Sequence, residues 1–192
     1  MLGSKQELTQ TIRFGNALAR SRPEVRRRHT PQFMPDAQMR IIEALAEARN
    51  ASEFVRRIPE ALKVVRDYRE KLLAGEVSVW DLIVTKHLSK DIKSYRQRVS
   101  QVIAAEQLIK EGAEVSAGKN VRFLFTSAEN KRYERRVTAE ELVEKNTNSD
   151  IKKYLLLLYS AAANLLNPFG HSVERVYDAV RGHSRTDLRN FD

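Results

Sequence analysis

Cysteine is absent from the chain. That excludes a disulfide framework, a thiolate metal site and a thiol nucleophile, and it fits a reducing cytoplasm. Long apolar runs are also missing. The most apolar stretch, Tyr154 to Leu166, is interrupted by Ser160 and Asn164 and is shorter than the roughly 20 residues a membrane span needs. Residues 1–20 lack the apolar core of a signal segment, so a cytoplasmic chain off the membrane is expected. Carboxylates are present but scattered. Two-metal nucleotidyl transfer needs them clustered, because the ions sit about 3.5–4 Å apart. No two of Asp36, Asp67, Asp81, Asp91, Asp150, Asp178, Asp187 and Asp192 are separated by a single residue. Glu140 and Glu141 are adjacent, and adjacent side chains on a helix diverge. His29, His87, His171 and His183 have no metal-binding spacing. There is no phosphate-cradling glycine loop and no serine in a Gly-x-Ser-x-Gly context. By its residues the chain binds rather than catalyses, and it calls for neither a metal nor a cofactor.

What is present is positive charge. Lysine and arginine number 34 against 25 acids, a net charge of +9. Such an excess speaks of partners rather than fold, and favours nucleic acid or another anionic surface. The charge is concentrated in the stretch from Leu82 to Arg98, LIVTKHLSKDIKSYRQR. Its start alternates like a strand, with Leu82, Val84 and Lys86 on one side and Ile83, Thr85 and His87 on the other. A polar turn follows at Ser89-Lys90-Asp91, and Ile92 and Tyr95 are spaced like the opening of a helix. Lys86, Lys90, Lys93, Arg96 and Arg98 oppose only Asp91, and hydroxyls at Thr85, Ser89, Ser94 and Tyr95 lie among them. Long cations mixed with short donors suit phosphate and sugar, where most protein–DNA hydrogen bonds go. A second basic run, Arg26-Arg27-Arg28, lies between Pro23 and Pro31, which favour extended backbone.

The pattern elsewhere predicts an α+β fold that is mainly helical, with a small antiparallel β element. Pro35 opens a helix with a stripe of Gln38, Ile41, Ile42, Leu45 and Ala48. Ser52 caps a helix that Pro59 interrupts or restarts, running to Leu73 before Gly75. Val99 to Glu111 reads as a helix closed by Gly112, and Val121 to Phe125 as a half-buried strand. Thr138 and Glu141 fit a capping box for a short helix. Ser149 caps a long last helix with a stripe of Ile151, Tyr154, Leu155, Leu158, Ala162 and Leu165. Leu156 and Leu157 fall outside that stripe, the mark of a helix buried between layers or of a docking surface. Asn167-Pro168-Phe169-Gly170 stops it, and a short amphipathic segment follows from Ser172 to Val180. Residues 1–22 are expected to be partly ordered, 23–181 to form the binding domain, and 182–192 to be a loose tail.

The order of these segments resembles the thumb domain of archaeal-type family-B DNA polymerases. Val25-Arg26-Arg27-Arg28 resembles the basic segment leaving the palm. Leu82 to Asp91, with Tyr95 beyond, resembles the strand and turn that meet the primer–template duplex. Val102 to Gly118 keeps the family's spacing, and Arg135, Asp150, Tyr154 and Phe169-Gly170 resemble the thumb's last segment. The chain departs from the family at Ser100-Gln101, where Pro-His is common, and at Ser149-Asp150, where Tyr-Asp is usual. Nothing in it resembles the palm's metal-binding aspartates, the fingers' nucleotide-binding lysines or the exonuclease.

The resemblance implies a thumb-like helical lobe that is not an enzyme by itself, acting as a subunit or fragment that completes a separate palm–fingers chain in replication or repair. It implies contacts to primer–template DNA from Arg26, Arg27, Arg28, Thr85, Lys86, Ser89, Lys90, Tyr95, Arg96 and Gln101, an interface to the catalytic chain at Leu156 and Leu157, and a nucleoid-associated location. The tail keeps the leucine–phenylalanine spacing of a sliding-clamp motif at Leu188 and Phe191 but lacks its glutamine and second aromatic, so the clamp is a weaker expectation. Two alternatives stay open on the sequence: a free-standing basic nucleic-acid-binding protein derived from a thumb, and a degenerate relic with a structural role.

Overall fold

The computed structural model describes residues 30–181. The fold is α+β and mainly helical, with a three-stranded antiparallel sheet. The regular elements are α1 (Phe33–Ala46), α2 (Ala51–Ala74), β1 (Val84–His87), α3 (Ser100–Lys110), β2 (Asn120–Phe125), β3 (Val137–Ala139), α4 (Ile151–Leu166) and α5 (Val173–Arg181), joined by short 3-10 turns. One compact unit comprises residues 34–74 and 155–181; the other comprises 75–154 with 30–33. The expected N-terminal segment, the run Arg26-Arg27-Arg28 and the tail with Leu188 and Phe191 lie outside the described residues.

The first unit is helical. Gln38, Ile41 and Leu45 of the predicted α1 stripe are buried, and the Gln38 amide donates to the Ala161 carbonyl at 2.8 Å, so its burial leaves that donor satisfied. The helix starts at Phe33, which places Pro35 in the first turn, where a missing N–H costs no intrahelical bond. The expected break at Pro59 does not occur. Residues 51–74 form one helix with Pro59 inside it. Phe54, Ile58, Ala61, Val65 and Leu72 make a buried stripe that spans the proline, while Pro59 itself is exposed. Packing on that stripe outweighs the hydrogen bond lost at the Val55 carbonyl. The cap is Asn50 rather than Ser52: its side-chain oxygen accepts from the Glu53 N–H at 2.9 Å, and the Glu53 carboxylate accepts from the Arg49 N–H at 2.8 Å. The Arg66 guanidinium donates to the carbonyls of Ala179 and Val180 at 3.2 and 3.3 Å, satisfying acceptors that the end of α5 leaves open. Tyr159 and Tyr177 meet edge to face at 5.6 Å, and Phe54 lies 4.4 Å from Phe169.

The second unit is built on the sheet, in the order β1-β2-β3. β1 begins at Val84, not at Leu82. Leu82 belongs to the 3-10 turn Val79–Leu82, capped by the Ser78 hydroxyl, so Leu82 and Ile83 are both buried instead of alternating. Val84 lies opposite Phe123, and Phe123 opposite Ala139. Thr138 does not cap a helix. It sits in β3 between buried Val137 and Ala139, and only one 3-10 turn, Glu140–Leu142, follows. The strand wins here because Val137 and Ala139 alternate into the core, whereas the helix would have had one turn to bury. α3 packs against β2 and β3, burying Val102, Ile103, Ala105 and Leu108.

Gln107 closes the outer edge of β3. Its amide accepts from the Ala139 N–H at 2.8 Å and donates to the carbonyls of Val137 at 2.8 Å and Glu134 at 3.0 Å, as a further strand would. Replacing Gln107 by alanine is expected to cost about 1–3 kcal/mol, because partly buried backbone groups lose their partners. In urea the midpoint should fall with an unchanged slope.

Two further side chains tie this unit together. Asp150, not Ser149, caps α4: its carboxylate accepts from the N–H groups of Lys153 at 3.0 Å and Ala128 at 2.6 Å. The Tyr154 hydroxyl donates to the Leu82 carbonyl at 2.8 Å and accepts from the Phe125 N–H at 2.9 Å.

Candidate nucleic-acid interface

The basic stretch singled out in the sequence lies wholly in the second unit. β1 supplies Thr85 and Lys86, and the ladder continues past its end, with the Leu88 N–H donating to the Lys119 carbonyl at 2.9 Å and the Gly118 N–H donating to the Leu88 carbonyl at 2.7 Å. Gly118 has φ +87°, a left-handed conformation that glycine adopts readily. Leu88 is fully buried. It anchors the strand end, and the chain beyond it turns outward.

The turn that follows is closed by Tyr95. Its hydroxyl accepts from the Ser89 N–H at 3.0 Å and lies 3.2 Å from the Ser89 hydroxyl. The Lys90 ammonium sits 5.5 Å above the Tyr95 ring, within cation–π range. Ile92–Ser94 form a single 3-10 turn, shorter than the helix start expected there, and the Tyr95 N–H closes it on the Ile92 carbonyl. The Ser89 hydroxyl, with bonds from the Ser89 and Lys90 backbone and the Lys90 charge, holds the Tyr95 phenol below its usual range. Tyr95 is therefore the strut of this loop, and it presents Ser89 and Lys90 from a fixed ring rather than a floppy turn.

Lys86, Ser89, Lys90 and Arg96 are exposed, and Thr85, Tyr95 and Gln101 are half-buried. Among the described residues, Lys86, Lys90, Lys93 and Arg96 form no ion pair. Arg98 differs: it pairs with Glu106 and its guanidinium lies 5.5 Å over Tyr133. The structure thus brings Ser89, Lys90 and Tyr95 into direct contact. Thr85 and Lys86, neighbours in a strand, project from opposite faces of β1. Gln101 lies in the first turn of α3.

Sequence reasoning overlooked what stands across from Thr85. The register pairs Thr85 with Arg122 and His87 with Asn120. His87 Nδ1 lies 3.2 Å from Asn120 Oδ1, and Arg122 Nη2 lies 2.9 Å from Glu140 Oε1. Burial raises the Glu140 carboxyl above its ordinary value, partly offset by Arg122. The alternation of Val121, Arg122 and Phe123 marked Arg122 as outward-facing; only the register could show what it faces.

Among the described residues no group of three or more His, Asp or Glu side chains could hold a metal ion. Nor is any helix among them long and apolar enough to cross a membrane.

The family model for DNA polymerase family B matches residues 22–169. The chain belongs to this family. Among family-B relatives it is 26% identical to a DNA polymerase of Pyrococcus horikoshii over 166 residues, 86% of this chain but 12% of that protein. It is 28% identical to DNA polymerase 3 of Saccharolobus shibatae over 117 residues, 61% of this chain and 15% of that protein. The family B DNA polymerase from the hyperthermophilic archaeon Pyrobaculum calidifontis has a similar fold, with a TM-score of 0.60 at 24% identity over 71% of this chain and 18% of that one. This family-B chain therefore spans well under a quarter of the length of these relatives.

Proposed function

We propose that this family-B chain is a thumb that grips primer–template duplex and performs no nucleotidyl transfer itself, completing a separate palm–fingers chain in DNA replication or repair. The observation that carries the reading is the Tyr95-closed loop with its uncompensated lysines, within the segment that the family model matches. Lys86, Lys90 and Arg96 supply charge to the sugar–phosphate backbone, Thr85 and Ser89 supply short donors, and Tyr95 fixes the loop. Gln101 is a lesser contact, and Arg26, Arg27 and Arg28 extend the grip. Such contacts position a duplex without reading its bases. The chain holds no metal or cofactor for this task; residues 23–181 act as one DNA-binding domain.

The catalytic partner meets the helix α4 at Leu156, which is 43% exposed, and at half-buried Leu157. A single exposed leucine is unremarkable, but these two flank the stripe that the helix buries. The sliding clamp is a further, weaker partner through Leu188 and Phe191.

The test has two arms. Fluorescence anisotropy on a recessed-end duplex should show weak binding by the chain alone that falls steeply with salt. Purification of the tagged chain from its native cell should recover a family-B chain carrying the palm carboxylates. Tight binding with no such chain recovered would favour a free-standing nucleic-acid-binding protein instead. Absence of salt-dependent binding, with no polymerase chain recovered, would overturn the proposal. A metal-dependent nucleotidyl-transfer assay on the isolated chain should read zero.

A further inference from the structure

The two faces of the β1–β2 pair differ in how much of each is buried. Val84, Phe123 and Val121 occupy one face and are buried, and exposed Lys86 shares it at the end of the strand. The other carries Thr85, His87, Asn120 and Arg122, with fully buried Leu124 beyond Arg122, because residues two apart along a strand, and residues opposite each other across it, share a face. Asn120, His87 and Arg122 are exposed and Thr85 is half-buried.

The hydrogen-bond parity sharpens the picture. The Leu88 N–H to Lys119 carbonyl bond extends the ladder, and Gln107 takes the outward groups of Val137 and Ala139. Both place Val84 and Lys86 at bonded positions. Thr85–Arg122 and His87–Asn120 are then the non-bonded pairs, where side chains approach most closely. The His87–Asn120 contact at 3.2 Å agrees with this.

We infer that this second face is a further duplex-binding surface, with Arg122 as its anchor. The inference rests on the proposed DNA-gripping role and adds to it residues outside the Leu82–Arg98 stretch. Arg122 leans on Glu140, whose side chain is only 20% exposed, while its own is 55% exposed. One nitrogen of the guanidinium is thereby engaged, and the fork retains further N–H donors on a side chain that is more than half exposed, a group suited to phosphate oxygens. Asn120 uses its carbonyl oxygen on His87 and keeps its amide N–H groups. Thr85 adds a hydroxyl. These donors are short or braced, so little side-chain entropy is lost when they engage a sugar–phosphate ridge.

The experiment uses the full chain, a recessed-end duplex in two unrelated sequences, and anisotropy over a salt series. Arg122→Ala should weaken binding about five- to tenfold on both sequences, with the salt slope shallower by about 1. Arg122→Lys, which keeps the charge and guards against loss of fold, should retain most of the slope. Asn120→Ala should weaken binding with the slope unchanged. Should Arg122→Ala leave affinity and slope as they were while Lys86→Ala and Lys90→Ala weaken binding, this inference fails and the proposed function stands. Should neither set change a salt-dependent affinity, both fail.

Discussion

Replacing Tyr154 by phenylalanine is expected to destabilise the chain by about 2–5 kcal/mol, although only one oxygen atom is removed. That oxygen satisfies two backbone groups at once, the Leu82 carbonyl and the Phe125 N–H. Tyr154 is fully buried, so water cannot readily replace it, and each stranded group costs about 1–3 kcal/mol. The ring would keep its edge contact with Phe125 at 6.0 Å, which separates hydrogen bonding from packing. Chemical denaturation should show a lower midpoint at constant slope.

The same hydroxyl gives a pH signature. Burial raises the Tyr154 phenol well above its ordinary value, with Asp150 adding to the rise and the Phe125 N–H opposing it. A group whose folded pKa is raised contributes stability that is complete below its unfolded pKa, near 10 for tyrosine, and is lost as pH climbs towards the folded value. Stability should therefore fall above about pH 10, and the fall should be shallower in the Tyr154→Phe protein. A tyrosinate absorbance titration should find Tyr154 among the phenols that ionise only as the chain unfolds, and the Tyr154→Phe protein should show one fewer of them.

The sequence revealed elements where one period dominated. Gln38, Ile41 and Leu45 of the α1 stripe are buried as their spacing predicts, whereas Ile42 and Ala48 are half-buried and Ala48 lies past the helix end, and β2 lies within one residue of the expected strand. Misreadings came where a local signal competed with long-range burial. Pro59 argued for a break, yet the buried stripe of α2 runs through it. Thr138 and Glu141 spelled a helix cap, yet the neighbouring residues were needed as strand by β2. Asn50, two residues before Ser52, and Asp150, directly after Ser149, took the cap positions given to those serines. The candidate site divided in the same way. Its composition was legible in the run from Thr85 to Arg96. The Tyr95–Ser89 bond spans six residues and could be guessed from neither period. Arg122 belongs beside Thr85 only through a register set more than thirty residues away in sequence.

The largest effect on binding should come from removing two charges together. A Lys86→Ala/Lys90→Ala protein is expected to lose about ten- to a hundredfold in duplex affinity at low salt, with the logarithmic salt slope reduced by about 2, since each neutralised phosphate contributes about 0.9. Neither lysine is ion-paired within the described residues, so folding stability should barely change, and the melting midpoint provides that control. Tyr95→Phe tests the other half of the argument. It keeps the ring beneath Lys90 but removes the oxygen that accepts from the Ser89 N–H. The charge count is untouched, so the salt slope should stay as it was. Affinity should nonetheless fall by a few-fold, because the loop must then be ordered by the DNA instead of before it. A slope change in Tyr95→Phe, or an unchanged slope in the double lysine variant, would show that this loop is not where the phosphates lie. The contrast between the two variants separates what charge contributes from what the strut contributes, and composition alone could not have made that separation.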